Sequence, residues 1–366
     1  MDLFTPFAIG PLLLRNRIVM APMTRRRADP DGTPTPLQAE YYAQRADLGL
    51  IVTEGAYPVP ESRGYTGQPG IVDDRHAAGW SRVADAVHDA GGKIALQLMH
   101  AGRVSHPDVT GTDRIVAPSA IPIAGDVHTP HGALPYPEPH ALTIPELADV
   151  GAEFAAAARR AIDAGMDAVE LHGANGYLLH QFLAPSSNRR TDGYGGTPER
   201  RARFVIEVVA AVAEAIGAER LGIRFSPGAN IQDVLEPDPA DLRATYLAVA
   251  DGIAPLGLGY LSVVHPHPES TPIQELRARV GAPLIANTGF STTTTRERVR
   301  ALIADGAADA VAVGRPVIAN PDLAERWRRD LPENAPDPQT FYTGGATGFA
   351  DYPRSAALRT PGTGQT

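Results

Sequence analysis

Short apolar segments rich in β-branched residues alternate along this chain with longer amphipathic stretches. The short segments have the length and composition of buried strands. There are eight of them, at residues 17–23, 49–55, 93–100, 167–172, 220–227, 259–265, 283–289 and 309–314. The longer stretches have the apolar spacing of helices. They lie between most of the strands, at residues 77–90, 145–164, 198–216, 239–254 and 292–305.

Helix-start signals agree with this division. Thr143 and Glu146 have the spacing of a capping box, and Pro198 and Pro321 suit a first helical position. Eight strands separated by helices predict a parallel (β/α)8 barrel, the TIM-barrel fold of the α/β class. The alternative is an open doubly wound sheet. Its glycine-rich G-x-G-x-x-G turn after the first strand is missing, because residues 20–24 read MAPMT.

The other segments are arranged around one predicted barrel domain, residues 1–354. Residues 1–16 precede the first strand and are expected to plug the amino-terminal end of the barrel. Residues 101–144 form an excursion after the third strand, rich in Pro, Gly and His. Loops of this length in compact domains are usually functional lids or disordered, and we expect a lid. Residues 355–366 are expected to form a flexible C-terminal tail.

Composition narrows the class of protein. The chain has 366 residues and a net charge of −9, which argues against nucleic-acid binding. Its densest basic cluster, residues 25–27, is interpreted as a local anion contact or a solvated edge. No apolar stretch reaches the roughly 18 residues of a membrane span, and the amino terminus lacks signal-peptide features, so we expect a cytoplasmic protein. The absence of cysteine excludes disulfides, iron–sulfur clusters and thiolate zinc sites.

Polar residues occur where the predicted strands end, which is where barrel enzymes carry out their chemistry. Alternation along three adjacent strands directs Gln97, Glu170, His172 and Arg224 into the upper interior of the barrel. Buried polar groups need partners, either one another or a ligand. We expect an ion pair between Glu170 and Arg224 that leaves part of the guanidinium free for a ligand.

The fourth strand ends on His172, followed closely by Asn175 and Tyr177. Two neutral hydrogen-bond donors and a phenol suit binding a carbonyl oxygen and delivering a proton nearby. A single histidine at a strand end is just as often an ordinary core residue, so this interpretation depends on its neighbours.

The ends of strands seven and eight predict a phosphate site, since barrels commonly bind phosphate in the loops that follow these strands. Gly289 and Gly314 allow close backbone approach, and Arg315 supplies a charged fork. A phosphorylated cofactor held there would extend over Gln97, Arg224 and Thr24. The Gln97 amide, the Arg224 guanidinium and the Thr24 hydroxyl suit the polar edge of an isoalloxazine ring.

Several long strings then identify a family. They are NRI at 16–18, APMTR at 21–25, TPLQAEYYAQRA from 35, ALQLMHAGR at 95–103, ELHGANGYLLHQFLAPSSNRRTDGYGG from 170, GIRFSP at 222–227, GRPVIANPDL at 314–323 and FYTGGATGFADYP from 341. Over nearly its whole length, the chain resembles the Old Yellow Enzyme family of FMN-dependent ene-reductases.

The resemblance implies a role for each matching position. It implies non-covalent FMN, NAD(P)H as co-substrate with NADPH slightly favoured, and a monomer or homodimer. The FMN-binding positions would be Pro22, Met23, Thr24, Gly55, Gln97, Arg224, Gly289, Gly314 and Arg315. The catalytic positions would be His172 and Asn175, which bind the substrate oxygen, and Tyr177, the proton donor. The pocket would be shaped by Tyr65, Met99 and Tyr342.

The reaction implied is reduction of an activated alkene. NAD(P)H reduces FMN, which passes hydride to the β-carbon of an α,β-unsaturated carbonyl or nitro compound, and Tyr177 protonates the α-carbon. Asn175 stands where some members have a second histidine, and an amide still donates. Met99 stands where several relatives have tryptophan, which predicts a roomier pocket. Position 24 is Thr, where another branch of the family has cysteine. In this respect the chain is similar to the plant, yeast and enterobacterial type.

Three other functions are alternatives for a barrel of this kind. A metal-dependent barrel hydrolase could draw on His100, His172, His265 and His267, but carboxylate ligands or a bridging lysine at the required spacing are missing. A Schiff-base aldolase needs a lysine near the top of a strand, and the only lysine, Lys93, starts one. A non-catalytic flavin-binding protein would not need Tyr177 and both oxygen-binding residues.

Overall fold

The computed structural model describes residues 1–290 and 292–358. The strands in this part of the chain are β1 Phe7–Ile9, β2 Leu12–Leu14, β3 Ile18–Met20, β4 Leu50–Val52, β5 Ile94–Leu98, β6 Val116–Ala117, β7 Asp126–Thr129, β8 Gly132–Pro135, β9 His140–Ala141, β10 Ala168–Gly173, β11 Leu221–Phe225, β12 Tyr260–Val264, β13 Leu284–Asn287 and β14 Ala310–Val313. The helices are α1 Pro36–Ala43, α2 Asp74–Asp89, α3 Pro107–Thr110, α4 Ile144–Asp163, α5 Leu178–Leu183, α6 Pro198–Ile216, α7 Pro239–Ile253, α8 Thr271–Val280, α9 Arg296–Ala304, α10 Arg315–Ala319 and α11 Leu323–Arg328.

Eight parallel strands close into a barrel in the order β10-β11-β12-β13-β14-β3-β4-β5. The ring closes where β14 pairs with β3, with Val311 opposite Ile18. All eight correspond to predicted strands, so the (β/α)8 fold is confirmed. The observed strands are mostly shorter than predicted, because the residues at their carboxyl ends leave the ladder to form the upper loops.

The five predicted helices are present at the expected positions, but several begin or end at other residues than predicted. Helix α6 has the predicted limits, and Pro198 is its first residue. The backbone N–H of Thr143 donates to Glu146 at 2.7 Å at the start of α4, as a capping box requires. Pro321 is not a first helical residue, because α11 begins two residues later at Leu323. Helices α1, α3, α5, α8 and α10 were not predicted.

The amino-terminal segment closes the bottom of the barrel, as expected. Strands β1 and β2 form an antiparallel hairpin. Its residues Ile9, Leu12 and Leu14 pack in one apolar cluster with inward-facing barrel residues that include Leu50 and Ile285. Burying this apolar surface stabilises the closed end and leaves the opposite end for chemistry.

The excursion after β5 is structured. It contains α3, the short strands β6 and β9, and the antiparallel hairpin of β7 and β8. The tail predicted from Ser355 begins with a 3-10 turn at Ala356–Leu358, and the rest of that prediction, 359–366, lies outside the described residues. In the described part of the chain, no helix is both long and apolar enough to cross a membrane.

Candidate active site

One cavity of about 520 Å³ opens at the carboxyl ends of the barrel strands. Its wall includes every site residue expected from the sequence: Pro22, Met23, Thr24, Gly55, Tyr65, Gln97, Met99, His172, Asn175, Tyr177, Arg224, Gly289, Gly314, Arg315 and Tyr342. Strand order explains this convergence, because β5, β10 and β11 are neighbours and present Gln97, His172 and Arg224 side by side.

The polar floor of the cavity is connected differently from our expectation. Gln97 donates to the Glu170 carboxylate at 2.8 Å, and Arg224 donates to the Ser262 hydroxyl at 3.1 Å. Within the described residues Glu170 and Arg224 therefore form no direct ion pair, and that prediction was wrong. The two charges still influence each other: burial raises the pKa of Glu170, and the nearby Arg224 opposes that rise.

Arg224 is the clearest sign that this floor binds a ligand. Arg224 is 4% exposed, and its Nε has no hydrogen-bond partner among the described residues. A buried donor on a cation is costly unless something accepts from it. An acceptor-rich or anionic group in the cavity would meet this need, as the carbonyl edge of a flavin ring does. The donor set therefore fits FMN.

The far end of the cavity suits a phosphate. A Cβ added at Gly314 would meet only the Met23 sulfur, at 3.4 Å, and one at Gly289 would have nothing nearer than 4.0 Å. The backbone there is open to close approach by a ligand. Arg315 is exposed, and its guanidinium donates to the carbonyl of Phe290 at 2.9 Å. This arrangement can hold a phosphate by charge and backbone contact.

His172 lies at the other end of the cavity and is 6% exposed. Burial first, and then the positive charge of Arg224, lowers its pKa well below 6.5. The backbone N–H of Ala174 donates to Nδ1 at 3.3 Å. A neutral imidazole that accepts at Nδ1 carries its hydrogen on Nε2. His172 is therefore a neutral donor at physiological pH.

Tyr177 stands beside this histidine, with ring centroids 4.8 Å apart. Its hydroxyl lies 2.7 Å from the hydroxyl of Tyr65, a hydrogen bond in which either oxygen can donate. Burial, reinforced by Tyr65, raises the pKa of Tyr177 well above 10. The phenol is thus protonated at neutral pH and has a second phenol as its direct neighbour.

The first-strand loop is held by contacts that sequence reasoning missed. The buried Arg25 donates to the carbonyl of Gly348 at 2.7 Å, and Arg27 donates to that of Phe341 at 2.7 Å. The two side chains therefore bond backbone carbonyls and do not form a solvated edge. The cluster does contact an anion, but through its backbone: the Arg25 N–H donates to the Glu54 carboxylate at 2.9 Å. The two side chains attach the segment that carries Tyr342 to the loop that carries Thr24.

Other lining residues also went unrecognised in the sequence. They come from the β7–β8 hairpin, from the segment after β13 and from the C-terminal segment: Asp126, Val127, His128, Tyr136, Phe290, Thr292, Thr293, Thr294 and Phe341. The run of threonines at 292–295 was a usable signal. The sequence predicts a helix from residue 292, but α9 begins at Arg296, with Thr295 as its cap.

The four histidines of the metal-site alternative do not form one metal-binding group in the described part of the chain. His265 and His267 lie in the loop after β12 and do not line the cavity, and the Nδ1 of His265 accepts from the backbone of His267 at 3.0 Å. Burial lowers the pKa of His265. Among the residues that the structure describes, no group of three or more His, Asp or Glu side chains could hold a metal ion.

Known proteins resemble this chain along nearly its whole length. Residues 2–334 match the model of the NADH:flavin oxidoreductase / NADH oxidase family. A probable flavin mononucleotide-dependent alkene reductase of Leishmania infantum is 41% identical, covering 95% of this chain and 96% of that protein. The 12-oxophytodienoate reductase 1 of Oryza sativa subsp. japonica is 37% identical over 96% of this chain and 92% of its own length.

Solved structures agree. Morphinone reductase in complex with tetrahydroNAD superposes with a TM-score of 0.91 at 43% identity, covering 98% of this chain and 99% of the other. An Old Yellow Enzyme homologue from Zymomonas mobilis gives 0.90 at 37% identity, with 96% and 99% covered. The resemblance seen in the motifs is confirmed: the chain belongs to the NADH:flavin oxidoreductase / NADH oxidase family and is an NAD(P)H-dependent flavin oxidoreductase of the Old Yellow Enzyme type.

Proposed function

We propose that this protein is an FMN-dependent ene-reductase that reduces the carbon–carbon double bond of α,β-unsaturated carbonyl or nitro compounds. The observation that carries the proposal is the grouping of His172, Asn175 and Tyr177 in the wall of one cavity with Arg224, whose Nε has no partner among the described residues. The family is the one in which named relatives reduce alkenes and 12-oxophytodienoate.

FMN binding follows from the other residues of the wall. Gln97 and Arg224 would hold the polar edge of the ring, and Thr24 would donate to its carbonyl near the reactive nitrogen. Pro22, Met23 and Gly55 would line the ring through their backbones, while Gly289, Gly314 and Arg315 would bind the phosphate. When bound, FMN supplies the substrate with the hydride that it takes from NAD(P)H, with NADPH slightly favoured.

The oxygen-binding pair acts on charge that develops during the reaction. His172 donates from Nε2 and Asn175 from its side-chain amide to the substrate's carbonyl or nitro oxygen. As negative charge grows on that oxygen, fixed donors in a site shielded from water stabilise it more than they stabilise the ground state. The lowered pKa of His172 keeps it a neutral donor throughout.

Tyr177 delivers the proton. Its raised pKa keeps the hydroxyl protonated until carbanion character develops on the α-carbon. The O–H bond of Tyr177 breaks as the new C–H bond forms, and solvent returns the proton to the phenolate afterwards. Tyr65, Met99 and Tyr342 shape the space around the substrate, and Met99 leaves more room than tryptophan would.

An anaerobic two-step experiment tests this function. NADPH should bleach the bound flavin, and one equivalent of cyclohexenone should then restore its colour and appear as cyclohexanone. A flavin that NADPH reduces, but that regains its colour only when oxygen is admitted, would contradict the proposal. That outcome would leave an NAD(P)H oxidase that does not reduce alkenes.

The remaining expectations are proposals of the same standing. We expect one domain over residues 1–354 with residues 101–144 as a lid. The β7–β8 hairpin supports this, because Asp126, Val127 and His128 reach the cavity from it. We also expect a monomer or homodimer in the cytoplasm.

A further inference from the structure

The loop that follows β11, residues 226–236, touches the oxygen-binding residues from outside the cavity wall. We propose that this loop positions Asn175 through Ser226 and Gln232, and thereby sets how well the site binds the substrate oxygen. The inference rests on the proposed function, in which Asn175 is one of the two oxygen donors. Neither Ser226 nor Gln232 lines the cavity. Ser226 acts through Asn175, whereas Gln232 bonds Asn175 and also lies close enough to the Tyr177 hydroxyl to oppose the rise of its pKa.

Asn175 needs such support because of where it stands. His172 is part of β10 and is fixed by the barrel ladder, opposite Arg224. Asn175 lies beyond the strand, in a turn, and its φ is 58°. A non-glycine residue in this left-handed region is strained, although asparagine tolerates it better than most. Its side chain is directed correctly only while that backbone conformation lasts.

The loop bonds both peptide groups of Asn175. The backbone N–H of Asn175 donates to the Ser226 hydroxyl at 2.8 Å. The Gln232 side-chain amide donates to the carbonyl oxygen of Asn175 at 3.0 Å. Two bonds on opposite sides of one Cα resist rotation of φ and ψ together, so they fix the direction in which the side chain leaves the backbone.

Close packing at the next residue keeps the loop in place. A Cβ added at Gly176 would come within 2.8 Å of both the Ile231 carbonyl oxygen and the Gln232 Cβ. With its φ of 84°, position 176 suits only glycine. On the other side, the Gly176 N–H donates to the Nδ1 of the fully buried His180 at 3.0 Å. The turn is therefore held between the loop and α5.

Backbone strain is concentrated at this contact. Among the described residues, six that are not glycine have a positive φ, and four of them meet here: Asn175, Asn230, Gln232 and Asp233. Such conformations persist only where the surroundings hold them, and they gather at functional sites. The buried Arg103 supplies part of that restraint by donating to the carbonyl of Asp233 at 2.9 Å.

The test uses the FMN-loaded enzyme and phenol as the probe of the oxygen site. Gln232→Met keeps the length of the side chain but removes its donor, and Ser226→Ala removes the acceptor on the other side. Each variant should raise the Kd of phenol by about 5- to 10-fold, the range for one lost hydrogen bond. Each should also weaken the long-wavelength band that phenol induces. Ser226→Ala, whose hydroxyl contacts Asn175, should raise the KM for cyclohexenone more than it lowers kcat, whereas Gln232→Met should lower kcat as well because Gln232 lies beside Tyr177.

Gln274→Met is the matched control. Gln274 also donates through its side-chain amide to backbone carbonyls, those of Pro268 at 2.8 Å and Ala307 at 2.9 Å, but it does not line the cavity. It should leave the Kd of phenol unchanged.

Wild-type phenol affinity in both loop variants, with affinity lost in Asn175→Ala, would overturn the inference alone. Wild-type affinity in Asn175→Ala as well would instead overturn the proposed oxygen site. Should Gln232→Met fail to fold, Ser226→Ala decides. Should Ser226→Ala fail to fold, wild-type phenol affinity in Gln232→Met still overturns the inference.

Discussion

The two ends of the cavity differ in exposure and in charge. At the phosphate end, Arg315 is exposed and the wall is open backbone at Gly289 and Gly314. At the oxygen end, His172 and Tyr177 are 6% and 7% exposed, and both are uncharged at neutral pH. A permanent anion is held well by a cation that water can reach. Charge that exists only during a reaction is better met by neutral donors fixed in a dry site.

At the oxygen end, burial raises the pKa of Tyr177 and lowers that of His172, and both changes keep the group uncharged. Removing water disfavours the charged form of any group, so the phenol keeps its proton and the imidazole does not gain one. Tyr177 can then give a proton, while His172 can donate a hydrogen bond without becoming an acid. At the exposed end of the cavity, water would stabilise the charged form of either group, and burial would no longer keep both groups uncharged.

The largest effect is expected from Tyr177→Phe, which removes the proton donor at the oxygen end. Alkene reduction should slow by about 10²- to 10⁴-fold, as is typical of losing a general acid. Flavin reduction by NAD(P)H should persist, and stopped-flow absorbance separates the two half-reactions. Tyr65→Phe is the matched control, because it removes the neighbouring hydroxyl only, and it should cost far less. Equal rates for wild type and Tyr177→Phe would show that another group supplies the proton.

Arg315→Ala changes the phosphate end alone. Loss of a charged contact should weaken FMN binding by about 10-fold or more. Activity per bound FMN should stay near that of the wild type, because the oxygen end is untouched. Fluorescence of FMN released on dilution measures the Kd. A fall in activity per bound FMN as large as the loss of affinity would mean that the two ends are not independent.

Met99→Trp narrows the pocket between the two ends. Met99 is 1% exposed and lies in a small apolar cluster with Tyr177, against which Tyr65 packs. The larger ring should reduce kcat/KM for a bulky enone several-fold more than for cyclohexenone, since space at the substrate is lost. An unchanged ratio of the two rates would show that Met99 does not limit the pocket.

The smallest expected effect is that of pH on the KM for cyclohexenone. Because the pKa of His172 lies well below 6.5, the imidazole stays neutral as the pH falls from 8 to 6. Protonation would begin only at lower pH, so the KM for cyclohexenone should change by less than about twofold across this range. A transition centred near 6.5 would show that His172 titrates like an exposed histidine.

The sequence predicted the eight-stranded barrel and the gathering of the motif residues around one cavity, because each motif adjoins the end of a strand. It failed where partners depend on side-chain conformation: Glu170 bonds Gln97 instead of Arg224. It also missed residues that arrive from distant segments, such as His128 on the hairpin. Strand order alone does not reveal where a long excursion returns to the site.

The most direct measurement is the visible absorption spectrum of the purified protein before and after phenol is added. Our account predicts that the wild-type protein has a flavin spectrum and that phenol adds a broad long-wavelength band to it. It also predicts that the His172→Ala/Asn175→Ala variant stays yellow but gains no such band. These results would place a phenolate on the flavin, bound by these two residues. A band of equal strength in the double variant, or a colourless protein that FMN does not reconstitute, would contradict it.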